Sequence, residues 1–325
     1  MSIFQPPVEP LPSGIDLSGQ TAIVTGASRG IGLEISKQLL DAGLSTLILA
    51  VRNTTGGETV KNQLLAARPK AKIDVVRLDA GEYPEVQKFI DQIRADYTEV
   101  NILMLNAGIG TLHKEVASTG HEKNFQVNFF SNVLLTFGLF PLLESSADKS
   151  GKPSRITWTG SRTFLNSSLV TGKVQLKSTE SLSQYVDKNS LGPYDRYAYS
   201  KLAVVMFLDE LAKRSPPDRV IVNNFCPGSI RTNMSDVLPF PLRVLMKAQL
   251  AIRGRPVEVS GWVALHAAVV TGKETHGKLL GDKEIVEPVA FLKSKEGLRI
   301  QKGVWDEALA EIGSLTTLPS WAKGN

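Results

Sequence analysis

The chain has 325 residues, 42% hydrophobic and 21% charged, the make-up of an ordinary globular protein of one large or two smaller domains. Its 37 basic and 32 acidic residues leave a net charge of +5, but they are interspersed, so neither a nucleic-acid face nor a membrane surface is indicated. The lone cysteine, Cys226, excludes an intrachain disulfide and a cysteine-based zinc site, and its apolar setting marks a buried structural thiol. His113, His121, His266 and His276 show no ligand spacing, so no metal site is expected.

The N-terminal stretch MSIFQPPVEPLPSG carries four prolines and no basic-then-apolar signal pattern, which predicts a disordered or draped arm over residues 1–17 and a cytoplasmic protein. TAIVT (21–25) is a first strand. Ile31, Ile35, Leu39 and Leu40 then repeat at helical spacing until Gly43. Strands follow at 45–51, 72–79 and 101–106, separated by helices at 58–68 and 84–96. A long apolar helix spans about 119–145, and its stretch 125–143 has no charge. A membrane span needs ~20 mostly apolar residues, but Gln126, Asn128, Asn132 and Pro141 interrupt this one. A core helix, or one that forms a homodimer interface, is the better reading.

A strand at 154–161, a helix at 196–214, a strand at 219–228 and a helix at 257–270 complete the series. The alternation predicts an α/β fold, a Rossmann-type doubly wound parallel sheet of about seven strands with helices on both faces. Residues 18–325 read as one domain, with substrate flaps at 162–195 and 233–256. The Leu, Phe, Pro and Met content of the second flap suggests an apolar substrate wall. The ligand site belongs outside the carboxyl ends of the strands, where each motif falls.

TGASRGIG (25–32) follows the first strand and opens the first helix. Gly26 allows a tight turn, Gly30 lets backbone approach a pyrophosphate, and Gly32 permits close helix–strand packing. Ser28, Arg29 and Ile31 complete this loop. Enzymes that use NAD place an acid at the end of the second strand. Here that end reads Leu49-Ala50-Val51-Arg52-Asn53. With the acid missing, Arg29 and Arg52 suit a ribose 2′-phosphate, so NADPH is the expected cofactor. Asp79, ending the third strand, is equally readable as an adenine acceptor or a helix cap. Asn106-Ala107-Gly108 ends the fourth and leaves room for a nucleoside.

Tyr194, Tyr197, Tyr199 and Lys201 crowd one short stretch. Tyr197 and Lys201 stand four apart and share a helix face; Tyr199 points elsewhere and Tyr194 precedes the helix. An ammonium ~5 Å from the phenol, at an effective dielectric of ~20, favours phenolate by roughly 3 kcal/mol, or about two pKa units. Tyr197 is therefore expected to move toward the range of a general acid–base group.

These motifs together, TGxxxGIG, NAG and YxxSK, resemble the short-chain dehydrogenase/reductase family over about residues 18–285. The resemblance implies a catalytic set: Tyr197 as proton donor, Lys201 lowering its pKa and holding the nicotinamide ribose, Ser161 orienting the carbonyl and Asn128 supporting a proton relay. Pro227, Gly228, Ile230 and Thr232 match the turn that contacts the nicotinamide carboxamide. The usual Ser-Ser pair reads Gly160-Ser161, which leaves Thr159 as an alternative serine position. The long gap before Tyr197 and the C-terminal EGLRIQKGVWDEAL look like the retinol-dehydrogenase-like branch, with soluble fungal natural-product reductases especially similar.

The implied activity is NADPH-dependent reduction of a ketone or aldehyde, on an apolar small molecule of secondary metabolism. The same site run oxidatively, as an alcohol dehydrogenase, and an NADPH-responsive binding module without turnover are the alternatives.

Overall fold

A computed structural model of the chain describes residues 5–231 and 240–323. Thr232 and the first part of the second flap lie outside the described residues.

Apolar, β-branched runs form the central strands, which are buried because helices cover both faces of the sheet, while the edge strands at Lys72–Arg77 and Glu284–Ile285 are partly or wholly exposed. The elements are β1 (Thr21–Thr25), α1 (Gly30–Asp41), β2 (Thr46–Val51), α2 (Thr54–Ala67), β3 (Lys72–Arg77), α3 (Tyr83–Asp96) and β4 (Ile102–Leu105). Then come α4 (Lys123–Ser150), β5 (Ser154–Thr159), α5 (Leu182–Lys188), α6 (Pro193–Arg214) and β6 (Val220–Cys226). The chain continues through α7 (Phe240–Arg253), α8 (Val257–Val270), β7 (Leu279–Gly281), β8 (Glu284–Ile285), α9 (Ala290–Lys293) and α10 (Lys295–Ile312).

The strand order is β3-β2-β1-β4-β5-β6-β7-β8. The first seven are parallel and β8 returns antiparallel to β7. The order reverses between β1 and β4, which opens a crevice above their ends. The Rossmann expectation of about seven strands is met, with the two-residue β8 added as a hairpin.

One core lies between the sheet and α3, α4, α6 and α10; the other lies under α1, α2 and α8. The uncharged stretch 125–143 lies in α4, and 89% of that helix's most apolar window is buried inside the protein. It is a core helix. Its small Gly138 seats α3: a Cβ there would come 2.4 Å from Ile90 Cδ1. Its other side takes α10 and the segment after it, with Trp305 6.2 Å from Phe137 and Trp321 5.1 Å from Phe140 between ring centres. The chain's own α3 and C-terminal segment pack on two faces of α4.

From Gln5 onward the N-terminal arm is draped. Val8, Leu11 and Ile15 pack against the second core, and Lys283 Nζ donates to the Pro10 carbonyl at 2.9 Å. The flap after β5 is tied down as well: Leu169, Leu176, Leu182 and Val186 are buried. Tyr199 accounts for part of this, since its hydroxyl shares a hydrogen bond with Ser168 at 2.7 Å. The second tyrosine of the motif is thus structural, while Tyr194 is half exposed and donates to the Thr163 carbonyl at 3.3 Å.

Candidate active site

The phosphate loop folds as its glycines require. Gly26 and Gly30 sit at φ +67° and +55°, the left-handed region that side chains resist. A Cβ on Gly32 would fall 2.4 Å from the Gly26 carbonyl oxygen and 2.6 Å from Asn106 Nδ2, so α1 can approach the loop only with glycine there. The first turn of α1 has no side-chain cap and no acidic residue. Its N–H groups face the crevice end with a positive dipole, which fits a pyrophosphate. Ser28 and Ile31 are half-buried in this loop, and Arg29 and Arg52 are both exposed. Asp79 Oδ1 accepts from Gly81 N–H at 3.0 Å, so it closes a turn; the N-cap of α3 is Glu82.

Asn106 does more than leave space. Its Nδ2 donates to the Thr25 carbonyl at 3.0 Å, and Thr25 Oγ1 accepts from the N–H groups of Asn106 and Ala107 at 3.0 and 2.9 Å. The ends of β1 and β4 are clamped together through this pair. Sequence reasoning missed Thr25; a polar residue closing an apolar strand was the available signal.

Asn128 lies in a π-turn, Gln126–Phe130, at the start of α4. Such turns recur at functional sites. Its Oδ1 accepts from Ile109 N–H at 2.8 Å, and its Nδ2 donates to the Ile109 carbonyl at 2.9 Å and to Ser200 Oγ at 3.0 Å. Ser200 Oγ in turn donates to the Tyr197 carbonyl at 2.7 Å. Asn128 therefore couples the loop after β4 to the helix that carries Tyr197. A Cβ on Gly108 would sit 3.1 Å from Asn128 Oδ1 and 3.8 Å from Lys201 Nζ, so Gly108 lies against both.

Lys201 is 4% exposed, and its Nζ donates to the Thr159 carbonyl at 2.7 Å while lying 5.6 Å from the centre of the Tyr197 ring. Burial pulls its pKa down to about 8. Burial pushes the Tyr197 phenol up to about 12, with nearby Cys226 raising it further and the Ser161 hydroxyl acting the other way. The expected downward shift of Tyr197 is thus reversed: the ammonium is turned to a carbonyl, and desolvation of the phenolate outweighs it. Tyr197 keeps its proton throughout the neutral range.

Of the two serine positions, Ser161 is the one beside Tyr197. Thr159 Oγ1 instead donates to Asn106 Oδ1 at 3.3 Å. Ser161 Oγ accepts from Thr163 N–H at 3.2 Å and Thr163 Oγ1 at 2.9 Å, which leaves its own proton free to donate toward the Tyr197 side. Thr163 was another residue missed in the sequence, since nothing in the irregular stretch RTFLN announces a turn.

Cys226 ends β6, is 5% exposed, and accepts Arg162 N–H at 3.3 Å, as a structural thiol should. Pro227 and Gly228 follow, with Gly228 at φ +79°, and the buried Ile230 forms a bridge to Arg255.

Glycine loop, switch-point crevice and tyrosine–lysine pair define a dinucleotide-binding α/β protein of the oxidoreductase type. The family model described as short chain dehydrogenase matches residues 20–166 and 186–239. The chain belongs to the short-chain dehydrogenase/reductase family. It is 48% identical over 330 residues to the short chain dehydrogenase macD of Penicillium terrestre, covering 99% of this chain and 100% of that one. It is 46% identical to yanD of Aspergillus niger and 45% identical to tropG of Talaromyces stipitatus, both over 98% of either chain. The fold superposes on an uncharacterised protein of Mycobacterium paratuberculosis with a TM-score of 0.66 at 21% identity, covering 94% of this chain and 96% of that one. It also superposes on the Pseudomonas aeruginosa RhlG/NADP complex with a TM-score of 0.63 at 23% identity, covering 82% and 96%.

Proposed function

We propose that the protein is an NADPH-dependent carbonyl reductase. The observation that carries this reading is the convergence of Ser161, Tyr197, Lys201 and, through Ser200, Asn128 on the strand ends beside an uncapped glycine loop. Gly26, Ser28, Gly30, Ile31 and Gly32 would hold the pyrophosphate, and Arg29 and Arg52 the 2′-phosphate. Asp79 would sit by the adenine, Asn106, Ala107 and Gly108 would line the nucleoside, and Lys201 with Pro227, Gly228 and Ile230 would hold the nicotinamide side. Bound NADPH supplies the hydride.

The chain supplies the rest. Ser161 donates to the carbonyl oxygen and fixes the substrate against Tyr197. Tyr197 gives that oxygen its proton, a role that suits a phenol held protonated at neutral pH. The Lys201 ammonium, 5.6 Å from the centre of the Tyr197 ring, favours the phenolate left behind. Asn128 and Ser200 hold the Tyr197 helix at the distance the transfer needs.

The substrate is an apolar small molecule of secondary metabolism, as the likeness to fungal natural-product reductases implies. Val244 and Ile252 of α7, 51% and 67% exposed, support an apolar wall. NADPH oxidation is to be followed with a panel of aldehydes, ketones and quinones, with Tyr197→Phe as blank. Turnover by the wild type and at least a thousandfold less by the phenylalanine variant, with NADPH still bound, is the expected result. Equal rates would remove Tyr197 from the chemistry.

A further inference from the structure

The turn after β6 is held from an unexpected direction. Gln5, at the far end of the chain, lays its amide against Ser229. Its Nε2 donates to the Ser229 carbonyl at 2.9 Å and to the Arg253 carbonyl at 3.0 Å, and its Oε1 accepts from Ser229 N–H at 2.8 Å. One side chain thus satisfies both backbone groups of one residue, as a neighbouring strand would. A Cβ on Gly228 would fall 2.2 Å from Gln5 Oε1, so the turn is shaped to admit this amide.

The same spot gathers both ends of the segment that contains α7. Arg255 N–H donates to the Ser229 carbonyl at 2.9 Å, and Arg231 N–H to the Arg255 carbonyl at 3.0 Å. The Arg255 guanidinium bonds the Pro6 carbonyl and, at 2.6 Å, Asp282. Asp282 also pairs at 3.0 Å with Arg162, the residue after Ser161. A continuous polar path therefore runs from the arm through the Gly228 turn and Arg255 to the serine loop.

We propose that Gln5 is a positioning residue for the cofactor: it fixes the Pro227–Ser229 turn so that its backbone meets the nicotinamide end, which makes the N-terminal arm part of the NADPH site. This rests on the reading of the site given above. The Ser229 groups do not need Gln5 for solvation, because water could serve them. What the amide adds is a single orientation of the turn.

The test compares wild type with Gln5→Ala and Gln5→Glu, in the full chain. The first readout is deuterium uptake of the peptide spanning residues 226–231 in ligand-free protein. The second is the NADPH dissociation constant from nicotinamide fluorescence. The third is KM for NADPH against kcat. Gln5→Ala should exchange faster at Ser229 and bind NADPH about tenfold more weakly, the equivalent of roughly one net hydrogen bond, with the loss in KM and kcat changed little. Gln5→Glu keeps the acceptor and loses both donors, so it should restore protection at Ser229 only in part and recover little of the affinity. Faster exchange with unchanged NADPH affinity would make the arm a purely structural strap and overturn the proposal; unchanged exchange would overturn it too. If the wild type itself binds no NADPH, the cofactor reading fails first and the role of Gln5 falls with it.

Discussion

Gly32→Ala is the sharpest probe of the phosphate loop, because the cost can be worked from neighbours that cannot move. The added Cβ would stand 2.4 Å from the Gly26 oxygen and 2.6 Å from Asn106 Nδ2. Ordinary non-bonded contact is about 3.5 Å or more, so both neighbours must give by about 1 Å. Gly26 is tied to the Ala50 carbonyl at 2.8 Å, and Asn106 Nδ2 to the Thr25 carbonyl at 3.0 Å. Overpacking of this kind costs about 1–3 kcal/mol, and losing the Asn106 bond adds about 1, so about 2–4 kcal/mol is expected in urea denaturation. Because the displaced groups form the loop, NADPH affinity should drop in the same variant by at least tenfold. Gly303→Ala serves as control: it lies inside α10 with no atom within 4 Å of its would-be Cβ. It should gain about 0.5–1 kcal/mol and leave NADPH binding alone. A Gly32→Ala protein as stable as wild type, with its cofactor affinity intact, would refute the packing argument.

Other expectations follow from charge. Lys201, with its pKa lowered to about 8, is charged at neutral pH and loses its proton as pH rises; kcat should fall above pH 8, and Lys201→Arg should push that limb beyond pH 10. A profile flat to pH 10 in the wild type would show that its charge is not used. His121 lies 2.8 Å from Asp187 and 3.4 Å from Glu311; burial opposes its charge, but these partners carry its pKa from 6.5 up to about 9. A folded pKa above the unfolded one gives stability that is complete below pH 6.5 and lost as pH rises through about 9, worth up to about 3 kcal/mol. The melting temperature should fall across that window in wild type and stay level in His121→Gln. Arg52→Glu should cut NADPH affinity at least tenfold and leave NADH unaffected or improved; equal losses for both cofactors would free Arg52 from any 2′-phosphate role.

What the sequence disclosed was what the backbone period and the turn glycines encode. Strands β1 to β6 and the crevice above them were legible because parallel strands are continuous apolar runs and each motif sits at a strand end. Tyr197 and Lys201 were paired by helical spacing, and their roles came from the resemblance carried by YxxSK together with the other motifs. The direction of the Tyr197 shift was not legible, because it depends on how deeply the phenol is buried and where the Lys201 ammonium turns. Choosing Ser161 over Thr159 needed Thr163 and Asn106, whose side chains reach across turns that no pattern announces. Gln5 was beyond reach for another reason: its partners, Ser229 and Arg253, lie 224 and 248 residues away along the chain.

The placement of α10 has a consequence for truncation. Trp305 stacks on Phe207 at 5.3 Å and holds Arg214 over its ring at 4.5 Å, and Trp321 closes over Phe140. Both tryptophans lie far along the sequence from α4, yet they cover its apolar face beside Phe137 and Phe140. Cutting the chain before residue 295 would take that cover away while leaving every strand of the sheet in place. The product would be a complete sheet with a bare greasy flank, which a cell's chaperones would hold rather than release.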